Sequence, residues 1–469
     1  MRSAAFCTLG CKVNQYETDA VEEKFIRAGF EIRPFTETAD VYIINTCTVT
    51  NIADRKSRQM LHRAKKRNPH ALIVALGCYA QVAESKLKED AAVDLIVGTG
   101  DKDRIVELVK ERLGCPDEPA PAHDAQSAVP ADDAQSAAPA EEAQRGREFS
   151  LITASGRQER SRAFIKIQDG CNQFCSYCII PYARGRVRSR SMEDIIREIR
   201  QVADAGYKEI VITGIHASSY GIDFDAAGRA EGEEDYGPFA SDALISLIEE
   251  AARVPGIERI RLGSLEPRII TQPFLSRLRK IPQICPQFHL SLQSGCDATL
   301  RRMNRHYSTS LYLEKCAMIR DAFEDAAVTT DIIVGFPGET QEEFETTLDF
   351  VRKVKFADIH VFKYSRRSGT RAAAMTDQVS PQIQSVRSER LIKLAASLRS
   401  RYLDSLVGKP VQVLIEEKKE GKDGPAATGY SKSYVTCAFR GCSGGPGSIV
   451  KGSVLTRSGS DMLICEEAH

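Results

Sequence analysis

Between residues 160 and 370 six short apolar segments recur, separated by stretches of helical periodicity. They are Ile165-Lys166-Ile167, Ile210-Val211-Ile212-Thr213, Arg259-Ile260-Arg261-Leu262, Phe288-His289-Leu290-Ser291-Leu292, Thr330-Asp331-Ile332-Ile333-Val334 and Ile359-His360-Val361-Phe362. Six β/α units in succession predict an open, partial (β/α)6 barrel with its site at the C-terminal ends of the strands. Ser191 with Asp194 predicts an N-cap for a helix carrying Ile195, Ile196, Ile199 and Val202. Residues 222–238 read as an acidic, Gly-containing loop, and Ser380–Leu406 as a helix.

The flanks differ in texture. Residues 1–114 alternate strands and helices: Phe6–Gly10 reads as a strand end, Asn14–Ala28 as a helix, and Val41–Ile44, Leu72–Leu76 and Asp94–Gly98 as strands. That predicts a small parallel α/β domain. Residues 115–148 repeat Asp-Ala-Gln-Ser-Ala and carry eight acidic and two basic residues. Such a stretch cannot build a core and reads as an acidic flexible linker. A second α/β stretch, 149–407, holds the six units. From 408 to 469 short strands (Val411–Ile415, Tyr434–Cys437, Ser453–Thr456) with frequent glycine predict a compact all-β barrel.

Sixty-four basic and 64 acidic residues balance, which excludes a globally basic nucleic-acid coat but not a local patch. No apolar run is long enough to span a bilayer. The start, Met1 to Cys7, has no apolar h-region, so no signal peptide and a cytoplasmic location are expected.

Fourteen cysteines in such a chain point to metal or redox chemistry rather than disulfides. Cys171-Asn172-Gln173-Phe174-Cys175-Ser176-Tyr177-Cys178 is C-x3-C-x2-C just after a strand. Soft thiolates this close suit zinc or an iron–sulfur cluster. Structural zinc wants four ligands, and no His stands nearby as the fourth. A 4Fe–4S cube on three cysteines leaves one iron open for a substrate or cofactor. Cys11, Cys47 and Cys78 each follow an apolar strand, and parallel strands would bring their loops to one edge. Cys7 competes as a ligand but should sit within its strand. Cys115, Cys285, Cys296, Cys316, Cys437, Cys442 and Cys465 show no such grouping, although Cys437 and Cys442 are spaced to pair.

The C-x3-C-x2-C motif with an aromatic before its third cysteine resembles the radical S-adenosylmethionine (SAM) superfamily. The whole order, three spaced cysteines, that motif and a β-rich tail, resembles the methylthiotransferase family. Matching segments are Thr8–Glu17, Asn45–Thr50, Gly77–Gln81, Pro181–Gly185, Gly335–Thr340 and Tyr364–Thr370. The wording of Cys11–Glu17 and Cys47–Thr50 most resembles the type that acts on N6-threonylcarbamoyladenosine. The resemblance covers all but residues 115–148.

The resemblance implies two 4Fe–4S clusters, on Cys11, Cys47 and Cys78 and on Cys171, Cys175 and Cys178. It implies SAM as both radical source and methyl donor. The first cluster would carry the sulfur and the second would generate a 5′-deoxyadenosyl radical. That radical would abstract hydrogen from C2 of the modified adenine at tRNA position 37, making the chain a transferase in tRNA modification. An electron donor and a sulfur source are implied without being named, and no membrane is involved. Tyr177 would lie near the SAM adenine. Gly214 stands where the superfamily often has Gly-Gly-Glu, but the Glu is missing. Gln293, ending a strand, is a candidate to face the cavity. His216 reads equally as a packed loop residue, Asp331 as inward-pointing or capping, and Gly335 and Gly338 as turn glycines. Arg184, Arg186, Arg188 and Arg190 alternate, and in a strand-like run would share a face suited to tRNA phosphates. Arg63, Lys65, Lys66 and Arg67 form another basic run. The tail resembles a TRAM domain, an RNA-binding module, although its net charge is only +1.

Rival readings keep the chemistry and change the substrate, to isopentenyladenosine in tRNA or an aspartate of a ribosomal protein. A non-catalytic iron–sulfur RNA-binding protein and a zinc RNA-binding module are the readings of a different class.

Overall fold

The computed structural model describes residues 2–114, 161–224, 241–421 and 424–468. The acidic stretch 115–148, Cys115 and most of the 222–238 loop lie outside them.

Contacts divide the chain into two units, one of residues 1–154 with 179–186, the other of 155–178 with 187–469. Residues 408–469 therefore group with the second unit, and Ile179–Arg186 with the first, which the sequence boundaries did not anticipate.

The first unit runs β1 (Ser3–Thr8), α1 (Lys12–Arg27), β2 (Glu31–Arg33), β3 (Val41–Thr46), α2 (Asn51–Arg67), β4 (Leu72–Gly77), α3 (Cys78–Val82), α4 (Glu84–Lys88), β5 (Leu95–Val97) and α5 (Ile105–Arg112). All five strands are parallel, in the order β2-β1-β3-β4-β5. β3 and β4 are buried along their whole length. Parallel strands covered on both faces are apolar throughout rather than alternating, which is why Val41–Ile44 and Leu72–Leu76 were legible. Cys7 lies inside β1, opposite Ile44.

The next elements are β6 (Ala163–Asp169), α6 (Ile180–Arg184), β7 (Arg188–Ser189), α7 (Met192–Asp204), β8 (Glu209–Gly214), α8 (Ser241–Ala252), β9 (Arg259–Leu262), β10 (Ser264–Leu265), α9 (Gln272–Leu278) and β11 (Gln287–Leu290). Then come α10 (Asp297–Arg302), α11 (Thr309–Ala322), β12 (Ala327–Val334), α12 (Gln341–Val354), β13 (Asp358–Lys363), α13 (Arg371–Ala374) and α14 (Pro381–Asp404). The six expected strands are β6, β8, β9, β11, β12 and β13. They form two sheets, β7-β6-β8-β9 and β10-β11-β12-β13, with Ile260 bridging to Ile284 between them. Ser191 caps α7 by accepting from the Asp194 N–H. The barrel's apolar side chains pack into one large core beneath the helices.

The tail is a closed barrel, β14 (Pro410–Gly421), β15 (Gly424–Ser431), β16 (Thr436–Arg440), β17 (Ile449–Ser458) and β18 (Met462–Glu467). It has its own core around Val413, Ile415, Phe439 and Leu463. Buried arginines tie it to the rest of its unit: Arg261 donates to the Lys432 and Ser431 carbonyls and Arg259 to that of Tyr430. Glu209, fully buried, pairs with both. Every described cysteine is free, so Cys437 and Cys442 are not bridged.

Candidate iron–sulfur sites

In the first unit β1, β3 and β4 are immediate neighbours, and Thr8 is level with Asn45, and Asn45 with Leu76. The loops after them therefore start at one height. Cys11 stands at the N-cap of α1, Cys47 follows β3, and Cys78 opens α3. Cys11 is exposed; Cys47 and Cys78 are buried. Burial pushes the Cys47 thiol up to about 11; the Val49 N–H and Arg184 oppose this, and the Cys78 and Cys11 thiols add to it. Burial also raises the Cys78 thiol, against Arg184 and Lys102.

Side chains lock these loops. Asn14 donates to the Leu9 and Thr46 carbonyls, at 2.8 and 3.0 Å. Thr46 bonds Leu76 and accepts from Ala80. Gly10 has φ +104°, and a Cβ there would meet Cys47 Sγ at 2.8 Å. Gly77 has φ +98°, and its Cβ would fall 2.4 Å from Asn45 Oδ1. Only glycine lets the backbone pass Cys47 and Asn45 this closely.

The buried partner of this triad is Arg184. Its Nε lies 3.1 Å from Cys78 Sγ, its Nη1 2.8 Å from Glu17, and its Nη2 2.8 Å from Asn14 Oδ1. Lys102 pairs with the same Glu17 carboxylate. All three charged side chains are buried. Arg184 and Lys102 thus bring positive charge up to the thiols and oppose the burial that raises them.

In the second unit the C-x3-C-x2-C loop leaves β6 through Gly170. It is clamped by the turn after α10: the Ser176 hydroxyl donates to the Arg302 carbonyl, its N–H to the Met303 carbonyl, and Asn304 donates to the Phe174 carbonyl. Arg305 Nη1 lies 3.1 Å from Cys175 Sγ. Burial pushes the Cys171 thiol up to about 12, with Cys175 adding to it. Tyr177 meets Phe336 edge-on, and Phe336 meets Tyr364. Burial holds the Tyr177 hydroxyl well above its ordinary range.

Gly214 ends β8, and a Cβ there would meet Gln168 Oε1 at 3.0 Å. Gln168 also accepts from the His216 N–H and donates to Asp169 and Gly170, an arrangement the sequence did not reveal. His216 shares a 2.7 Å hydrogen bond with Ser219, and burial drives its imidazole down to about 3. Gln293 takes a positive φ of 71° and pairs through its backbone with Asp331 and Ile333. Asp331 neither caps nor stands alone: His360 and His289 contact its two oxygens at 3.0 and 3.3 Å.

The arginine run is corrected. Residues 184–190 do not form one strand; Arg184 ends α6, and only Arg188–Ser189 is extended. Arg184 and Arg190 are buried in ion pairs, Arg190 with Glu198 at 2.5 Å, so neither presents itself to a phosphate. Arg186 is exposed and Arg188 half-buried. In the second basic run Lys65 pairs with Asp94 and Arg67 donates to the Phe35 carbonyl, leaving Arg63 and Lys66 as its exposed members.

Among the described residues, His289, Asp331 and His360 have ligand atoms all within 4.8 Å of one another. Each cysteine triad offers three thiols with an arginine donor at one sulfur, a set that suits an anionic iron–sulfur cluster.

Two such triads suit an iron–sulfur protein, and similarity to known proteins gives the class as SAM-dependent radical enzymes. Residues 165–351 match the Radical SAM superfamily and residues 3–98 match Uncharacterized protein family UPF0004. The threonylcarbamoyladenosine tRNA methylthiotransferase MtaB of Bacillus subtilis is 39% identical over 97% of this chain and 94% of its own length. The protein of that name from Aquifex aeolicus is 36% identical over 88% of this chain and 93% of its own. A tRNA-2-methylthio-N(6)-dimethylallyladenosine synthase of Acetivibrio thermocellus is 34% identical over 89% of this chain and 81% of its own. The radical SAM methyltransferase TsrM of Kitasatospora setae shares the fold, with TM-score 0.52 at 14% identity over 79% of this chain and 74% of its own. The chain belongs to the methylthiotransferase family of radical SAM enzymes. Among the described residues no helix is long and apolar enough to cross a membrane.

Proposed function

We infer that this chain methylthiolates C2 of N6-threonylcarbamoyladenosine at tRNA position 37. The observation that carries this is the presence of two three-cysteine sites, each with an arginine at a sulfur, in a chain similar along almost its whole length to relatives named for that substrate. Cys171, Cys175 and Cys178 would hold one 4Fe–4S cluster, and Cys11, Cys47 and Cys78 a second, each leaving one iron for another ligand. With SAM bound, these groups supply hydrogen-atom abstraction from an aromatic C–H, sulfur delivery and a methyl group, none of which a side chain can provide.

The chain's own part is to bind, orient and exclude water. Arg305 and Arg184 donate to the sulfurs. Tyr177, Phe336 and Tyr364 form an aromatic wall beside the cluster loop and are the residues to pack against the adenine of SAM. Gly214 keeps room against Gln168 at the end of β8, where SAM would reach. Gln293 occupies a left-handed conformation of the kind that collects at functional sites. For RNA, Arg186 is the exposed member of the arginine run, while Arg188 lies 3.8 Å from Asp169, and the closed C-terminal barrel is the candidate tRNA-binding module. The target base must leave its stack to be reached. A reductant and a sulfur source complete the partners, and the cytoplasm is the location such partners require.

Dimethylallyl-acting relatives at 34% identity make that nucleoside the second reading. Reconstituted enzyme, SAM, a reductant and tRNA carrying either nucleoside, followed by mass spectrometry of the digest, separates them. A methylthio increment on threonylcarbamoyladenosine supports the reading; an increment on dimethylallyladenosine alone overturns it.

A further inference from the structure

The inner face of β11, β12 and β13 carries a polar group that no cluster site uses. Along β12, Val328, Ile332 and Val334 are buried in the core, whereas Thr329 and Asp331 face the other way. Along β11, Phe288 and Leu290 enter the same core and His289 does not. Asp331 lies opposite His360, and His289 opposite Thr329. The three side chains therefore share one face of rigid neighbouring strands. Their exposure grades from 12% at His289 through 29% at Asp331 to 58% at His360. The two imidazoles lie nearly parallel, 5.8 Å apart.

This face leads to the SAM-side site. Ser291, two positions along from His289, offers its carbonyl to Tyr307, whose hydroxyl is bonded by Arg305, the arginine at Cys175. Gln293, two positions further, pairs through its backbone with Asp331.

We propose that His360, His289 and Asp331 receive the polar N6 substituent of the substrate, a threonylcarbamoyl group with its hydroxyl, amide and carboxylate. This rests on the function inferred above and adds the device that selects the substituent. An apolar dimethylallyl group laid on these side chains would strip their water and replace none of their hydrogen bonds. Sites built to hydrogen-bond a substituent reject the analogue lacking it by about 10⁴- to 10⁵-fold, while a merely apolar pocket discriminates by only about 10- to 200-fold. A single divalent cation is the competing occupant, since the three ligand atoms lie within 4.8 Å of one another. Asp331 engages each imidazole through a different oxygen, and the second ring nitrogen of His289 meets the Thr329 hydroxyl. The metal content of the wild-type protein decides between the two occupants.

The test uses cluster-loaded, full-length enzyme and two anticodon stem-loops, one carrying threonylcarbamoyladenosine and one dimethylallyladenosine. For His360→Leu, kcat/KM on the first falls by about 100-fold, mainly through KM, and the ratio between the substrates narrows by the same factor. His360→Gln recovers most of that loss. Iron content and SAM cleavage without RNA stay at the wild-type level in both. An unchanged substrate ratio in His360→Leu and in Asp331→Leu, with iron intact, overturns the proposal. So does an additional zinc or iron in the wild type that Asp331→Asn loses. Wild-type enzyme acting on dimethylallyladenosine alone overturns the inferred function instead, and is seen before any variant is made.

Discussion

Arg184 places its Nε 3.1 Å from the sulfur of Cys78, although 106 residues separate the two in sequence. The same guanidinium is bonded to Glu17 and Asn14, and Lys102 shares the Glu17 carboxylate. A residue immediately beyond the C-x3-C-x2-C loop thus belongs to the other cysteine triad. Its fork of donors fits a planar carboxylate and a sulfur at once, which the single ammonium of lysine cannot do.

Arg184→Gln removes the guanidinium at Cys78 and one of the two cations paired with Glu17. Iron is expected to fall from about eight to about four per chain as the first triad loses its cluster, while SAM cleavage by the second persists. Apo-protein should also lose about 3–5 kcal/mol of stability in denaturant, the usual cost of breaking a buried pair. Arg184→Lys should fall between. Full iron occupancy in Arg184→Gln would show that the arginine serves folding only.

Without iron the thiols should differ in reactivity, because the thiolate is the nucleophile. Cys11 is exposed, while burial raises Cys47 to about 11 and Cys171 to about 12. At pH 8 iodoacetamide should label Cys11 first and leave Cys47 and Cys171 largely unmodified. Raising the pH toward 11 should bring Cys47 in before Cys171. Peptide mass spectrometry reads the order, and equal labelling of all three at pH 8 would contradict it.

Gly77→Ala places a Cβ 2.4 Å from Asn45 Oδ1 and 2.9 Å from the Thr46 carbonyl, at φ +98°. With ψ −157° this is backbone that essentially only glycine adopts, which alone costs roughly 1–3 kcal/mol. Relief requires the Cys78 end of the loop to move, so the variant should be destabilised by about 2–4 kcal/mol in denaturant and retain less iron at the first triad. Gly206→Ala also has a positive φ, but nothing lies within 4 Å, so it should show only the backbone penalty.

His216 gives a pH dependence whose sign is fixed. Burial lowers its imidazole from 6.5 to about 3, with Arg305 and Arg268 adding to the effect. Between these values the unfolded chain binds a proton that the folded chain does not. The contribution is complete above pH 6.5 and is lost progressively as pH falls toward 3. Wild-type Tm should therefore drop more between pH 7 and pH 5 than that of His216→Asn. Parallel Tm curves for the two proteins would contradict the assignment.

The strands were legible because most carry unbroken apolar runs, and the cysteines because thiols at strand ends in parallel sheets converge by topology alone. β2, two of whose three residues are charged and which pairs only through Glu31, Ile32 and Arg33 at a sheet edge, left no such trace. The Arg184 contacts were hidden for another reason. Alternating arginines read as a solvated basic face, and nothing local says that Glu17 and Lys102 wait for one of them. Gln168 and the His289, Asp331 and His360 group are likewise products of strand register. They depend on which residues stand opposite one another across a sheet.

The central claim is that two separate three-cysteine sites divide the work. It is tested most directly by two triple variants, Cys11→Ala/Cys47→Ala/Cys78→Ala and Cys171→Ala/Cys175→Ala/Cys178→Ala. Each is reconstituted anaerobically and assayed for iron, for 5′-deoxyadenosine and for the tRNA product. The account predicts about four irons per chain in each. The first variant should still cleave SAM and yield no methylthiolated nucleoside, and the second should do neither. Methylthiolated product from the first variant, or SAM cleavage by the second, would contradict it.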